Sequence, residues 1–251
     1  VTMVRQKIDI KKMFKIFFSK IVCLTLTFIL SFIWKGTSFS STADMVLIPS
    51  GAFMMGGKLE LDQSPVHEVF LDHFYIDTYE VTQEDFENVM KYNPSKYKGP
   101  SLPVEFVDWF EANAYCQKIN KRLPSEAEWE KSNRGGTDSK FYWGNTMDEK
   151  FSWFKLNSQG KTHPVGKKLP NTYGIHDMSG NVWEWVADWY ASDYYQNSPY
   201  KNPKGPAAGE FKVQRGGSWS NLADYQSAGY RMVYGPTGKD AFNGFRCAKS
   251  K

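Results

Sequence analysis

Residues 170–190 read PNTYGIHDMSGNVWEWVADWY, a segment in which Asp177, Glu184 and Asp188 sit among three tryptophans and two tyrosines. Glu184 lies between Trp183 and Trp185, so burial of the aromatics takes the carboxylate out of water. A buried carboxylate is costly unless it is hydrogen-bonded or bound to a cation. With Asp177 and the carbonyls of the intervening turn, the segment offers the hard oxygen ligands that Ca²⁺ takes. A capped turn closed by a salt bridge satisfies the same spacing, and the residues alone leave the two readings open.

On the N-terminal side, MVLIPSGAFMMGG (45–57) and HEVFLDHFYIDTYEVT (67–82) alternate apolar and polar residues and predict strands. Three short helices are announced by their caps: Thr82 with Asp85, Asp108 with Glu111, and Ser125 with Glu128 behind Pro124. The middle one places Trp109, Ala112, Tyr115, Cys116 and Ile119 on one face. Beyond Arg134 the chain is punctuated by Gly-Gly, Gly-Asn, Asn-Pro and Gly-Pro pairs, which predict short strands and long loops. Helices early and irregular β-structure late describe an α+β chain without the strand and helix alternation of a parallel sheet.

Charge and motifs narrow the function classes. Of 31 basic and 27 acidic residues in the 251, seven basic and one acidic fall within 1–43, which leaves 24 and 26 for residues 44–251. That balance argues against a nucleic-acid surface. No phosphate-binding glycine loop occurs, and His67, His73, His163 and His176 show no helical zinc spacing. Ser218 in RGGSWSN lacks the flanking glycine of a nucleophile elbow. Tyr190, Tyr194, Tyr195, Tyr200, Tyr225, Tyr230 and Tyr234 lie on late loops, where they read either as a recognition surface or as ordinary packing.

Residues 1–43 read as a secretory signal: basic residues, then the uncharged IVCLTLTFILSFIW (21–34), then small residues ending at Ala43. The apolar run is short for a bilayer span of roughly 20 residues, so cleavage is the expected outcome. An uncleaved anchor at 21–34 is the alternative, and translation starts at either Val1 or Met13. Residues 44–251 are expected to form one domain, secreted or periplasmic. With the leader removed, Cys116 and Cys247 remain as an even pair in an oxidising compartment, which predicts one disulfide.

Taken in order, MVLIPSGAFMMGG, FYIDTYEVTQEDF, PVEFVDWFEANAYC, KRLPSEAEWEKSNRGG, YWGN, YGIHDMSGNVWEWVADWY, RGGSW and GFRCA resemble the formylglycine-generating enzyme (sulfatase-modifying factor) family from about Met45 to Lys249. The resemblance implies an irregular α+β fold related to C-type lectins. It implies a structural calcium ion on the Asp177 side chain, the carbonyls of Gly180 and Val182, and Glu184, and it pairs Cys116 with Cys247. The family's oxidases turn a sulfatase cysteine into formylglycine with copper held by two cysteines after the GGS motif. Here those positions are Asn221 and Gln226. An amide pair is a poor substitute for the thiolates that select Cu(I), so copper is not expected. Trp183 and Ser218 match residues lining the family's active-site region, and with Arg246 they are the remaining catalytic candidates.

Three functions follow from the resemblance. The first is an exported, calcium-stabilised module that binds a protein or glycan, including a place in an envelope complex. The second is an oxidoreductase acting on a substrate other than a sulfatase, and the third is sulfatase maturation itself.

Overall fold

The computed structural model describes residues 45–251; the expected leader and anchor, with Cys23, lie outside the described residues. Strand β1 (Met45–Ile48) pairs antiparallel with β4 (Phe74–Asp77), which pairs on its other edge with β9 (Ala248–Ser250), so the two ends of the domain close one sheet. Strands β2 (Gly51–Met55) and β3 (His67–Leu71) form a separate antiparallel pair. The long strands expected at 45–57 and 67–82 are therefore each broken in two. Pro49, which has no N–H for a ladder, sits at the first break, and Lys131 Nζ takes up the carbonyls of Pro49 and Gly51 there at 2.8 and 2.7 Å. At the second break Asn202 donates from Nδ2 to the Asp72 carboxylate at 2.7 Å, and the Asp72 N–H donates back to Asn202 Oδ1 at 2.9 Å.

The three helices begin where their caps predict. Thr82 accepts from the Asp85 N–H ahead of α1 (Gln83–Met90), and complete capping boxes precede α2 (Trp109–Lys118) and α3 (Glu126–Arg134). Each cap satisfies N–H groups that no intrahelical carbonyl can reach. On α2, Ala112, Tyr115 and Cys116 are buried, with Trp109 and Ile119 packed partly beneath them. Cys116 is bonded to Cys247, with Cα atoms 5.7 Å apart, which fastens α2 to the residue ahead of β9.

The longest strand is β5 (Trp183–Trp189). It lies between β6 (Lys212–Arg215), antiparallel, and the two-residue β8 (Asn243–Gly244), parallel; β7 (Met232–Tyr234) extends the sheet beyond β6. Because side chains alternate across a strand, β5 divides two apolar clusters. Trp185 and Ala187 enter the cluster of Phe86, Tyr115, Phe245 and the disulfide, while Val186 joins Trp129, Ile175 and Met178 on the other side. Arg215 and Arg246 are among the five largest fully buried side chains, beside Trp129, Trp183 and Trp185. Among the described residues no helix is long and apolar enough to cross a membrane.

Candidate functional site

The register of β5 that sends Trp185 one way sends Glu184 the other, into a pocket of charge. Arg246 meets Glu184 in a bidentate pair, Nε to Oε2 and Nη2 to Oε1, both at 2.7 Å, and Trp129 Nε1 donates to Oε2 at 2.7 Å. Glu80, which the sequence reading did not single out, lies on the same side. Its carboxylate accepts from Asn181 Nδ2 at 2.6 Å and from the Val182 N–H at 3.1 Å. Asp177 adopts φ +56° and accepts from the Gly166 N–H through Oδ2 at 2.6 Å, while its Oδ1 is buried without a hydrogen-bond partner.

Three buried carboxylates thus share one guanidinium. Burial, reinforced by the charges of Asp177 and Glu184, pushes the Glu80 carboxyl well above the usual range. Burial likewise raises Asp177, against the Gly166 N–H and Arg246. Arg246 is spent on structure: Nη1 reaches the carbonyls of Asp77 and Thr78, and Nη2 also donates to the carbonyl of His176. It is fully buried, a brace between β5 and the segment after β4.

The fit of a calcium ion can be judged from the oxygens left over. Glu184 Oε2 accepts two bonds and Oε1 accepts one, which leaves Oε1 a lone pair, and Asp177 Oδ1 has both of its own. Carboxylate oxygens with lone pairs to spare are the kind of donor a hard cation takes. Among the described residues no group of three or more His, Cys, Asp or Glu side chains is placed to hold a metal. His176, the histidine nearest this site in sequence, is committed elsewhere: it stacks on Tyr79 with centroids 5.0 Å apart, and its Nδ1 lies 2.8 Å from the Lys168 carbonyl.

Beside this cluster β6 runs into Gly216 and Gly217, both at positive φ, and then Ser218. A Cβ on Gly217 would lie 2.8 Å from the Gln226 amide, so only glycine permits the approach. Ser218 donates from N and Oγ to Asn221 Oδ1 at 3.1 and 2.5 Å. Gln226 donates from Nε2 to the Ser218 carbonyl at 3.0 Å and accepts from Ser152 Oγ at 3.1 Å. The two amides therefore knit the Ser218 loop to its neighbours. Ser218 and Gln226 are fully buried and Trp183 nearly so, which brings Trp183 and Ser218 into the same interior without opening them to solvent.

A second buried charge cluster went unread in the sequence. Glu126, Glu130 and Arg134 recur every fourth residue along α3. Arg134 binds Glu130 Oε1 through Nε and Nη2 at 2.9 and 2.7 Å, Arg215 Nη2 closes on Glu130 Oε2, and Arg231 binds both oxygens of Glu126 at 2.7 and 3.0 Å. The i, i+4 charge pattern looks like a solvated face. Only the arrival of Arg215 and Arg231 from the far end of the chain makes it interior. The loop tyrosines resolve toward packing: Tyr195 is buried beside Glu126, most of the others are half-buried, and Tyr200 alone of the seven is well exposed.

Comparison with known proteins agrees with this geometry. The sulfatase-modifying factor enzyme 1-like domain family matches residues 35–251. A Chlamydia caviae protein named serine/threonine-protein kinase pkn1 is 35% identical over 82% of this chain, and the chain spans only 38% of that relative's length. The formylglycine-generating enzyme of Mus musculus is 32% identical, with 81% of this chain and 74% of the enzyme covered. Among solved structures, Treponema denticola variable protein 1 superimposes with a TM-score of 0.77 at 32% identity, covering 82% of this chain and 95% of that one. The irregular α+β architecture agrees with these matches: the chain belongs to the sulfatase-modifying factor enzyme 1-like domain family.

Proposed function

We propose that this chain is an exported, calcium-stabilised binding module of its family, serving a protein or glycan partner or an envelope complex rather than copper-dependent cysteine oxidation. The observation that carries the reading is the state of Asn221 and Gln226. At the two positions where the family's oxidases hold copper, the side chains are amides, and each is engaged in hydrogen bonds around Ser218. Neither supplies a thiolate, and thiolates are what a Cu(I) site requires. Glu184, held by Arg246 and Trp129, is not a free general base.

The calcium ion would be held by Asp177, Glu184 and the carbonyls of Gly180 and Val182, where it neutralises carboxylates that one guanidinium does not balance. Its role is structural: it fixes the turn between residues 177 and 184. Export rests on the sequence of residues 1–43.

The test is a metal count on the aerobically purified chain, with the Asp177→Ala variant alongside, followed by incubation with a cysteine-containing sulfatase peptide. About one calcium per chain, lost in the variant, with no peptide oxidation is the expected result. Stoichiometric copper with formylglycine in the peptide would overturn the binding reading, and calcium absent from both proteins would remove the ion.

A further inference from the structure

Outside the Ser218 loop, three segments far apart in sequence are tied edge to edge. The Lys155 N–H donates to the Asn221 carbonyl at 2.9 Å, Ser158 Oγ donates to the Trp219 carbonyl at 2.8 Å, and the Tyr97 hydroxyl donates to the Gly160 carbonyl at 2.9 Å. The Tyr97 and Trp219 rings meet edge to face with centroids 5.8 Å apart. Residues 96–98, 155–161 and 219–222 therefore make one continuous patch.

That patch carries apolar tips among free cations. Leu156 is 73% exposed and Leu222 51%. Leu156 tops a closed turn: the N–H groups of Asn157 and Ser158 donate to the Phe154 carbonyl at 3.0 and 2.9 Å, and the Phe154 N–H donates to Asn157 Oδ1 at 2.8 Å. The tip can leave water without stranding those donors. Lys96, Lys98, Lys155 and Lys161 are exposed, and none of them joins an ion pair among the described residues. Most neighbouring acids are engaged: Asp224 is paired with Lys140, Asp240 accepts from the Tyr234 hydroxyl, Asp85 accepts from Thr82, and the charges of Asp148 and Glu149 act on Lys168. Glu105 accepts the Tyr97 N–H, is fully buried, and is raised by that burial to about 7. Glu84, whose N–H meets the Pro100 carbonyl, stays exposed at the border, so four free lysines stand against one free carboxylate.

We propose that this patch docks on a bilayer surface rich in anionic phospholipid, with Leu156 and Leu222 entering the headgroup region and the four lysines meeting the phosphates. The leucines project from loop tips instead of lining a recess, which suits a fluid interface and gives a peptide's side chains nowhere to seat. Lysine stems cover apolar surface while their ammonium groups stay in the polar layer, and each lysine near an anionic membrane adds to the attraction. Tyr97 and Trp219 are half-buried rings whose polar ends bond inward, to Gly160 and to the Ala241 carbonyl, and aromatic rings favour that depth. Leu61 supplies the contrast: it is 93% exposed, but it stands between Glu60 and Asp62, which the same surface repels. Docking of this kind uses neither the calcium ligands nor the side chains of Asn221 and Gln226, so it goes beyond the function proposed above and fails or holds independently of it.

The test is hydrogen–deuterium exchange on the full chain with vesicles of phosphatidylglycerol and phosphatidylcholine in equal parts, against vesicles of phosphatidylcholine alone. Slowed exchange in 96–98, 155–161 and 219–222 with the anionic vesicles only, abolished by about 0.5 M NaCl, is expected. Residues 1–43 are common to every variant, so differences between variants report the patch. Lys155→Ser with Lys161→Ser, and Leu156→Ser with Leu222→Ser, alter exposed side chains, so both pairs fold as the parent does. Each pair lowers the protection gained in the three segments by about tenfold, and Leu61→Ser leaves it unchanged. Equal protection by neutral vesicles, protection within 45–251 that bypasses the three segments, or protection untouched by both pairs would each overturn the assignment. Protection by a peptide of alternating Glu and Leu with none from vesicles would overturn it in favour of an acidic protein partner.

Discussion

The two buried charge clusters use the same chemistry in opposite proportions. Under β5, Glu80, Asp177 and Glu184 share Arg246; along α3, Arg134, Arg215 and Arg231 surround Glu126 and Glu130. Each network is interior, and in each the removal of one partner strands charges that water cannot reach. The difference lies in what remains unbalanced. The acid-rich cluster has carboxylate oxygen to spare and suits a cation, whereas the guanidiniums of the arginine-rich one spend their remaining donors on backbone carbonyls. A buried ion-pair network is thus a weak argument for stability but an informative one about the sign of a missing ligand.

The comparison breaks most visibly at its hubs. Replacing Arg246 by Met, which leaves three carboxylates unneutralised, is expected to cost about 3–5 kcal/mol in urea denaturation, and Glu130→Ala, which strands two arginines, a similar amount. Measured against the parent chain in the same buffer, calcium separates the two: it narrows the Arg246→Met deficit and leaves the Glu130→Ala deficit unchanged. Equal rescue of both would show that charge sign is not what distinguishes the regions.

Chelation sharpens the contrast at a smaller scale. With calcium at about 100 times its dissociation constant, EDTA is expected to lower the unfolding free energy by ~2.7 kcal/mol, and the Asp177→Ala variant is expected to be indifferent to EDTA. A thermal melt in the two buffers reads it directly.

The third effect is a pH slope set by the arginine-rich region and its neighbour Asp188, whose Oδ2 accepts the Glu126 N–H at 2.8 Å. Burial, and then the Glu126 charge, raise Asp188 from 3.8 to about 8. The folded state therefore holds a proton that the unfolded state has released. Its contribution is full below the unfolded value and is lost as pH rises through the folded one. Between pH 4 and 8 stability is expected to fall with rising pH by at most about 1.4 kcal/mol per pH unit, and Asp188→Asn flattens that part of the profile. Glu126 behaves in the opposite sense: burial opposes its charge, but Arg231 and Arg215 prevail and hold it below the usual carboxylate value. Its contribution is present above pH 4.5 and is lost as pH drops through the lowered value. A denaturant series from pH 3 to 8 distinguishes the two.

The smallest effect is a control. Lys140 and Asp224 lie 2.6 Å apart, yet their side chains are 31% and 67% exposed. Lys140→Ala is expected to change stability by less than about 0.5 kcal/mol, because solvent screens what burial does not protect.

Much of the local structure was legible in the sequence because its causes are local. A cap and its acceptor stand three residues apart, so Thr82 with Asp85, Asp108 with Glu111 and Ser125 with Glu128 each mark a helix without help from the fold. The apolar face of α2 followed from its period, and the disulfide from residues 44–251 holding two cysteines. The alternation in 45–57 and 67–82 announced strands but overran them, since period 2 continues across Pro49 and Asp72 where the ladder does not. Glu184 could be read as buried from the tryptophans on either side of it.

What joined it there could not. Arg246 lies 62 residues away and Asn181 reaches Glu80 across 101, while Arg231 meets Glu126 across 105. No periodicity spans such separations, and EAEWEKSNR looks solvated until β6 and residues 227–231 close over it. By itself, then, the sequence determined the helices and the disulfide, which depend on spacing and count, and the family, which rests on the ordered motifs from Met45 to Lys249. Tertiary structure alone decided which charges share an interior and that Asn221 and Gln226 are tied down around Ser218. Those are properties of surfaces brought together, and their energies arise from desolvation, which exists only once the chain has folded.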